Sequence, residues 1–97
     1  MAMPAFRAEV ERAIVLYELE IGHGAARTRE MISRYGEIEA ISRLMISADL
    51  QQGFKVLRDR DQLGITFEAI VIRYQNLFNL DVVQAAQWRL DHPYELL

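Results

Sequence analysis

At 97 residues the chain can bury one modest hydrophobic core and not two, so a single soluble domain is expected. Its lack of cysteine excludes a disulfide framework, a thiolate metal site and a cysteine nucleophile. A formal net charge of -3 argues against holding nucleic acid by bulk electrostatics, which needs a basic footprint on the phosphates.

The first helix is read from Ala5 to Ile21, where Phe6, Val10, Ala13, Ile14, Tyr17 and Ile21 recur at steps of three and four on one stripe. Pro4 stands where a first-turn proline is tolerated. Gly22, His23 and Gly24 then stop the helix, because two of the three residues adopt positive φ freely. A shorter helix is expected over Ala25 to Tyr35, capped by Thr28, with Met31, Ile32 and Tyr35 turned inward and Gly36 closing it.

From Glu37 the pattern restarts, with Ile38, Ile41, Leu44, Met45 and Ala48 on one stripe. Asp49 and Gln52 have the spacing of a capping box, which would open a separate helix bearing Leu50, Phe54 and Leu57. One continuous helix from Glu37 to Arg58 is the competing reading. The polar run Arg58 to Gln62 reads as a solvated helix end and loop. Thr66 is the next cap, leading a helix with core positions Phe67, Ile70, Val71, Tyr74 and Phe78. Asn79, or else Asp81, starts a last helix with Val82, Val83, Ala86 and Leu90, which His92 and Pro93 end because proline disfavours a helical predecessor.

These elements give an all-α fold, a compact bundle of five or six short helices over residues 1–97. Two helical hairpins packed around the long N-terminal helix are one arrangement compatible with the pattern. The tripeptide Glu39-Ala40-Ile41 recurs as Glu68-Ala69-Ile70, and with only two copies at an unequal offset this is a chance echo.

Catalytic constellations are not evident. His23 lies in a glycine connector and His92 before a proline, neither with a ligating partner at i+3 or i+4. Gly22 and Gly24 follow a helix rather than a strand and lack the later residues of a phosphate loop. Ser33, Ser42 and Ser47 have no base nearby in sequence. The expectation is a non-enzyme with no metal and no cofactor. No apolar run approaches the ~20 residues of a membrane span, and the first residues lack the basic-then-apolar order of a secretory signal. A cytoplasmic location and no membrane partner are therefore expected.

Two surfaces stand out. The first is the outer side of the N-terminal helix, where Ala8, Val15, Leu16 and Leu19 lie opposite the core stripe with Arg12 and Glu20 around them. A helix apolar on two sides is either buried between layers or offers its second face to another chain. Beyond it, Trp88 with Tyr94, Leu96 and Leu97 forms a C-terminal apolar cluster that docks back or serves as an anchor. The favoured reading is a non-catalytic helical protein-protein interaction module that self-associates, as a dimer, or binds another protein. Its interface residues would be Val15, Leu16, Leu19, Trp88 and Tyr94.

The second surface is basic. Residues 25 to 60 carry seven basic and five acidic side chains, between two acidic flanks. Within them, Arg29-Glu30-Met31-Ile32-Ser33-Arg34-Tyr35-Gly36 resembles the first helix and turn of bacterial helix-turn-helix regulators. The resemblance implies a DNA-associated regulator whose following helix, Glu37 to Ala48, enters the major groove. Arg27, Arg29, Arg34, Arg43, Lys55 and Arg58 would then contact nucleic acid. Glu37-Ile38-Glu39 departs from that pattern, since it would direct carboxylates at phosphates. Nucleic-acid binding is therefore the runner-up.

Overall fold

The computed structural model describes residues 3–47 and 52–95. It contains six α-helices, α1 (Met3–Ile21), α2 (Ala26–Tyr35), α3 (Glu37–Ile46), α4 (Gln52–Asp59), α5 (Phe67–Arg73) and α6 (Leu80–Asp91), and no strand among the described residues. Single 3-10 turns, Leu63–Ile65 and Gln75–Leu77, precede and follow α5. The fold is a small helical bundle in which α2 packs on α3, α5 packs on α6, and α1 lies against α4 and α5. Each of these two pairs is consecutive in sequence, and α1 makes its main contacts with α4 and α5 rather than lying at the centre of two pairs.

Helix boundaries follow local chemistry. Gly22 takes φ +79° and donates its N–H to the Glu18 carbonyl, which ends α1. Gly36 is the sole residue between α2 and α3, with φ 83° and ψ 165°. Its N–H donates to the Ile32 carbonyl and its carbonyl accepts from Ala40, so it finishes one helix and begins the next. That backbone conformation is essentially restricted to glycine. At α5, Thr66 is the expected cap: its hydroxyl accepts from the Ala69 N–H at 3.2 Å and donates to the Leu63 carbonyl at 2.7 Å.

Three expectations change, and one competing reading is excluded. Thr28 lies inside α2 rather than at its cap. The donor at that end, the Ala25 N–H, is taken by the Glu18 carboxylate from α1 at 2.7 Å, a tertiary contact that local sequence does not announce. Tyr35 is 39% exposed rather than inward, its ring face covered by Arg43 at 4.0 Å. The helix opened by Thr66 stops at Arg73, and Phe78 reaches the core from beyond a 3-10 turn. Glu37 to Arg58 is not one continuous helix, because α3 ends at Ser47, which is extended at φ -82° and ψ 127°. Asp49 of the expected capping box, the inward places given to Ala48 and Leu50, and Leu96 and Leu97 of the C-terminal cluster fall outside the described residues.

The core draws on every helix except α2, which has no buried residue of its own and contributes only the flanking Met31 and Ile32. Phe6, Ile41, Ile70, Val10, Val71 and Val82 are its largest fully buried apolar side chains. Phe6 meets Tyr74 and Phe78 edge-on, with ring centroids 5.3 and 6.1 Å apart, a favoured aromatic geometry.

The interior also holds an ion pair. Glu68 on α5 and Arg89 on α6 are joined at 2.8 Å with side chains only 3% and 6% exposed. The second guanidinium nitrogen of Arg89 donates to the Met45 carbonyl at 2.9 Å and to the Ser47 carbonyl at 3.4 Å. Arg89 therefore neutralises a buried carboxylate and satisfies carbonyls at the end of α3, where a cation also complements the helix dipole. Burial pushes the Glu68 carboxyl above the usual range against the opposing pull of Arg89. Sequence reasoning passed over this pair, although a signal existed: Val82, Ala86 and Arg89 fall at i, i+4 and i+7 on the core stripe.

Candidate functional site

The core stripe of α1 orders the rest of that helix by rotation. Phe6, Val10, Ala13 and Ile14 are buried, so Ala8, Arg12, Val15, Leu16 and Leu19 fall on the diametrically opposite side. No neighbouring helix covers that side completely. Leu19 is 71% exposed and Val15 39%, while Leu16 is half-buried and Ala8 and Arg12 are exposed. A shallow depression bounded by Val15, Glu18, Leu19 and the turn Gly22 to Gly24 continues the patch past the helix end. Arg12 makes no ion pair within 4 Å among the described residues, whereas Glu20 reaches Arg60 at 2.5 Å.

Trp88 and Tyr94 form a second patch around the end of α6. Trp88 is 48% exposed and stacks on His92 at 4.4 Å, and His92 Nδ1 lies 2.8 Å from the Trp88 carbonyl. Tyr94 is 74% exposed, with the Arg58 guanidinium 5.0 Å from its ring centre. Arg58 also donates to the Pro93 carbonyl at 2.8 Å, which fastens the chain after α6 to α4. Because Arg58 holds Pro93 and Tyr94 and Arg60 holds Glu20 beside the first patch, Tyr94 and that patch both border the C-terminal end of α4. Ile46 and Leu80, exposed at 62% and 70%, are apolar surface residues that sequence reasoning did not single out. Each lies off the buried stripe of its own helix, and that register was the available signal.

The six basic residues of the runner-up reading separate. Arg29 turns toward α1, donating to Glu18 at 2.7 and 2.8 Å and to Glu11 at 2.9 and 3.1 Å. These bonds, with that from Ala25, hold the Glu18 carboxyl down at about 2. They also raise Arg29 above its ordinary value. Arg58 is committed to Asp59, Pro93 and Tyr94, and Lys55 is half-buried on α4. Only Arg27, Arg34 and Arg43 are brought together, in one groove between α2 and α3.

Two further clusters have structural roles. Glu9 accepts from the Tyr74 hydroxyl and from Arg73 Nε at 2.8 Å, tying α1 to the end of α5. The Tyr74 bond is the main reason the Glu9 carboxyl is lowered and the Tyr74 phenol raised. A mostly apolar crevice of about 80 Å³ runs between Tyr17, Met45, Phe54 and Phe67 toward Glu68. It is smaller than the ~150 Å³ engineered cavity known to admit benzene. His23, His92 and the acidic residues form no group of three or more positioned for a metal among the described residues. No described helix is long and apolar enough to cross a membrane.

No family model matches the chain, and searches of curated proteins and of solved structures return no match.

Proposed function

We propose that the protein is a non-catalytic helical interaction module that self-associates as a two-fold dimer through the outer face of α1. The observation carrying this reading is Leu19, 71% exposed near the C-terminal end of α1 on a face that also bears Val15, Leu16 and Arg12. Burying each such side chain contributes about 1.5 to 3 kcal/mol before association costs. Charge placement favours a second copy over an unrelated chain. Arg12 and Glu20 stand four residues before and after Leu16. A two-fold axis at Leu16 with antiparallel helices sets Arg12 of one protomer beside Glu20 of the other, twice, so that Arg12 joins a carboxylate that Arg60 already contacts at 2.5 Å. Isologous pairing of this kind is the commonest route to a closed oligomer. Tyr94, across the end of α4, and Trp88, exposed on α6, supply aromatic anchors, residue types enriched at interface hot spots.

Size-exclusion chromatography with light scattering tests the proposal. Wild-type protein is expected to elute as a dimer at micromolar concentration, and Leu19→Glu as a monomer of 11.3 kDa with unchanged helical content. A wild-type monomer at every concentration up to about 1 mM, the weak end of the affinity scale, overturns self-association. A Leu19→Glu dimer overturns the assigned face.

A further inference from the structure

The groove between α2 and α3 collects more positive charge than its surroundings explain. Arg27, Glu30, Met31, Arg34 and Tyr35 of α2 and Arg43 of α3 line a depression of about 290 Å³. That volume is near the lower end of the ~300–1,000 Å³ range of small-molecule sites. Arg27 and Arg34 share one face of α2, seven residues apart, with Glu30 and Met31 between them. Arg43 is held in place from two sides, stacked over Tyr35 at 4.0 Å and bonded to Glu39 at 2.9 Å. Arg34 contacts Glu30 at 3.3 Å. Both are exposed i,i+4 pairs, which contribute little and exchange readily. Arg27 has no ion pair within 4 Å among the described residues. Three guanidiniums thus face one lining carboxylate, with Glu39 behind Arg43.

We infer that this groove binds the phosphate group of a small phosphomonoester, with Arg27, Arg34 and Arg43 as its ligands. Planar guanidinium forks match phosphate oxygens in pairs, and a dianion can draw on all three where a single carboxylate cannot. Half-exposed Tyr35 and Met31 supply an apolar wall for the attached carbon skeleton. A small ligand fits better than duplex DNA for three reasons. Arg29 and Arg58 are bonded elsewhere, Glu30 and Glu39 stand at the groove, and the whole chain is acidic. A long polyanion would gain little beyond this one favourable spot on a chain of net negative charge.

Titration followed by the arginine Nε–Hε signals in nitrogen-15 NMR tests this, with ribose 5-phosphate, ribose and a short DNA duplex as separate probes at about 0.15 M salt, where long-range attraction is screened. Ribose 5-phosphate is expected to shift Arg27, Arg34 and Arg43 saturably, and ribose to leave them unmoved. Arg34→Ala and Arg27→Ala should each weaken binding about tenfold, the loss of one charged hydrogen-bonding group. Glu30→Gln should tighten it, because it removes the like charge and releases Arg34, a gain that damage to the fold would not produce. Equal shifts at Arg12, Arg60 and Arg73, an equal response to ribose, or weaker binding by Glu30→Gln would overturn the site. Stronger binding of the duplex at equal phosphate concentration would overturn the small-ligand assignment in favour of nucleic acid.

Discussion

Arg89 donates to Glu68 at 2.8 Å in the interior of the bundle, and the same guanidinium reaches the Met45 carbonyl of a third helix at 2.9 Å. One side chain therefore joins α3, α5 and α6. Arg89→Met strands a buried carboxylate and two helix-end carbonyls, and Glu68→Leu strands a buried cation. Each is expected to cost about 3–5 kcal/mol, as removal of one partner of a buried pair does. The double variant Glu68→Leu/Arg89→Met should recover part of this and not all, since the α3 carbonyls still lack a donor. Urea unfolding of the four proteins checks the cycle, and purely additive losses would contradict it.

Glu18 couples stability to pH. Its folded carboxyl sits at about 2 against an ordinary 4.5, lowered by Arg29 and by the Ala25 N–H. A depressed acid contributes stability that is complete above its unfolded value and is lost as pH falls toward the folded one. Thermal unfolding of wild type should therefore lose stability relative to Glu18→Gln between about pH 5 and pH 2. Melting curves that stay a constant interval apart across that range would rule out the linkage.

Gly36 occupies φ 83° and ψ 165° with nothing within 4 Å of the position a Cβ would take. Gly36→Ala should thus lose about 1–3 kcal/mol through backbone strain alone. Because no clash is involved, Gly36→Ala and Gly36→Ser should lose similar amounts in chemical denaturation.

Thr66 is 1% exposed and uses its hydroxyl both as donor and as acceptor. Thr66→Val keeps the shape but leaves the Ala69 N–H without its cap, with an expected loss of about 1–2 kcal/mol. Faster hydrogen exchange confined at first to the start of α5 is the accompanying sign.

Much of the fold was legible from spacing. The stripe Phe6, Val10, Ala13, Ile14 is buried as its period requires, and Gly22, Gly36 and Thr66 act where local chemistry places them. The candidate surface was legible in the same way, since the residues opposite a buried stripe must face outward unless another layer arrives. Whether a layer arrives depends on how distant helices dock. The structure leaves Leu19 largely and Val15 partly uncovered and divides six basic residues into three that share a groove and three that do not.

The repeated tripeptide marks the boundary between the two kinds of information. In both Glu39-Ala40-Ile41 and Glu68-Ala69-Ile70 the sequence by itself dictates a helix and buries Ala and Ile. Yet Glu39 is exposed and paired with Arg43 one turn along its own helix, whereas Glu68 is buried and paired with Arg89, twenty-one residues away on another. The same tripeptide has opposite outcomes for its carboxylate, although helix periodicity, encoded within a few residues, buries Ala and Ile in both. The environment of a charge is instead set by which helix packs over it, and only the tertiary structure decides that.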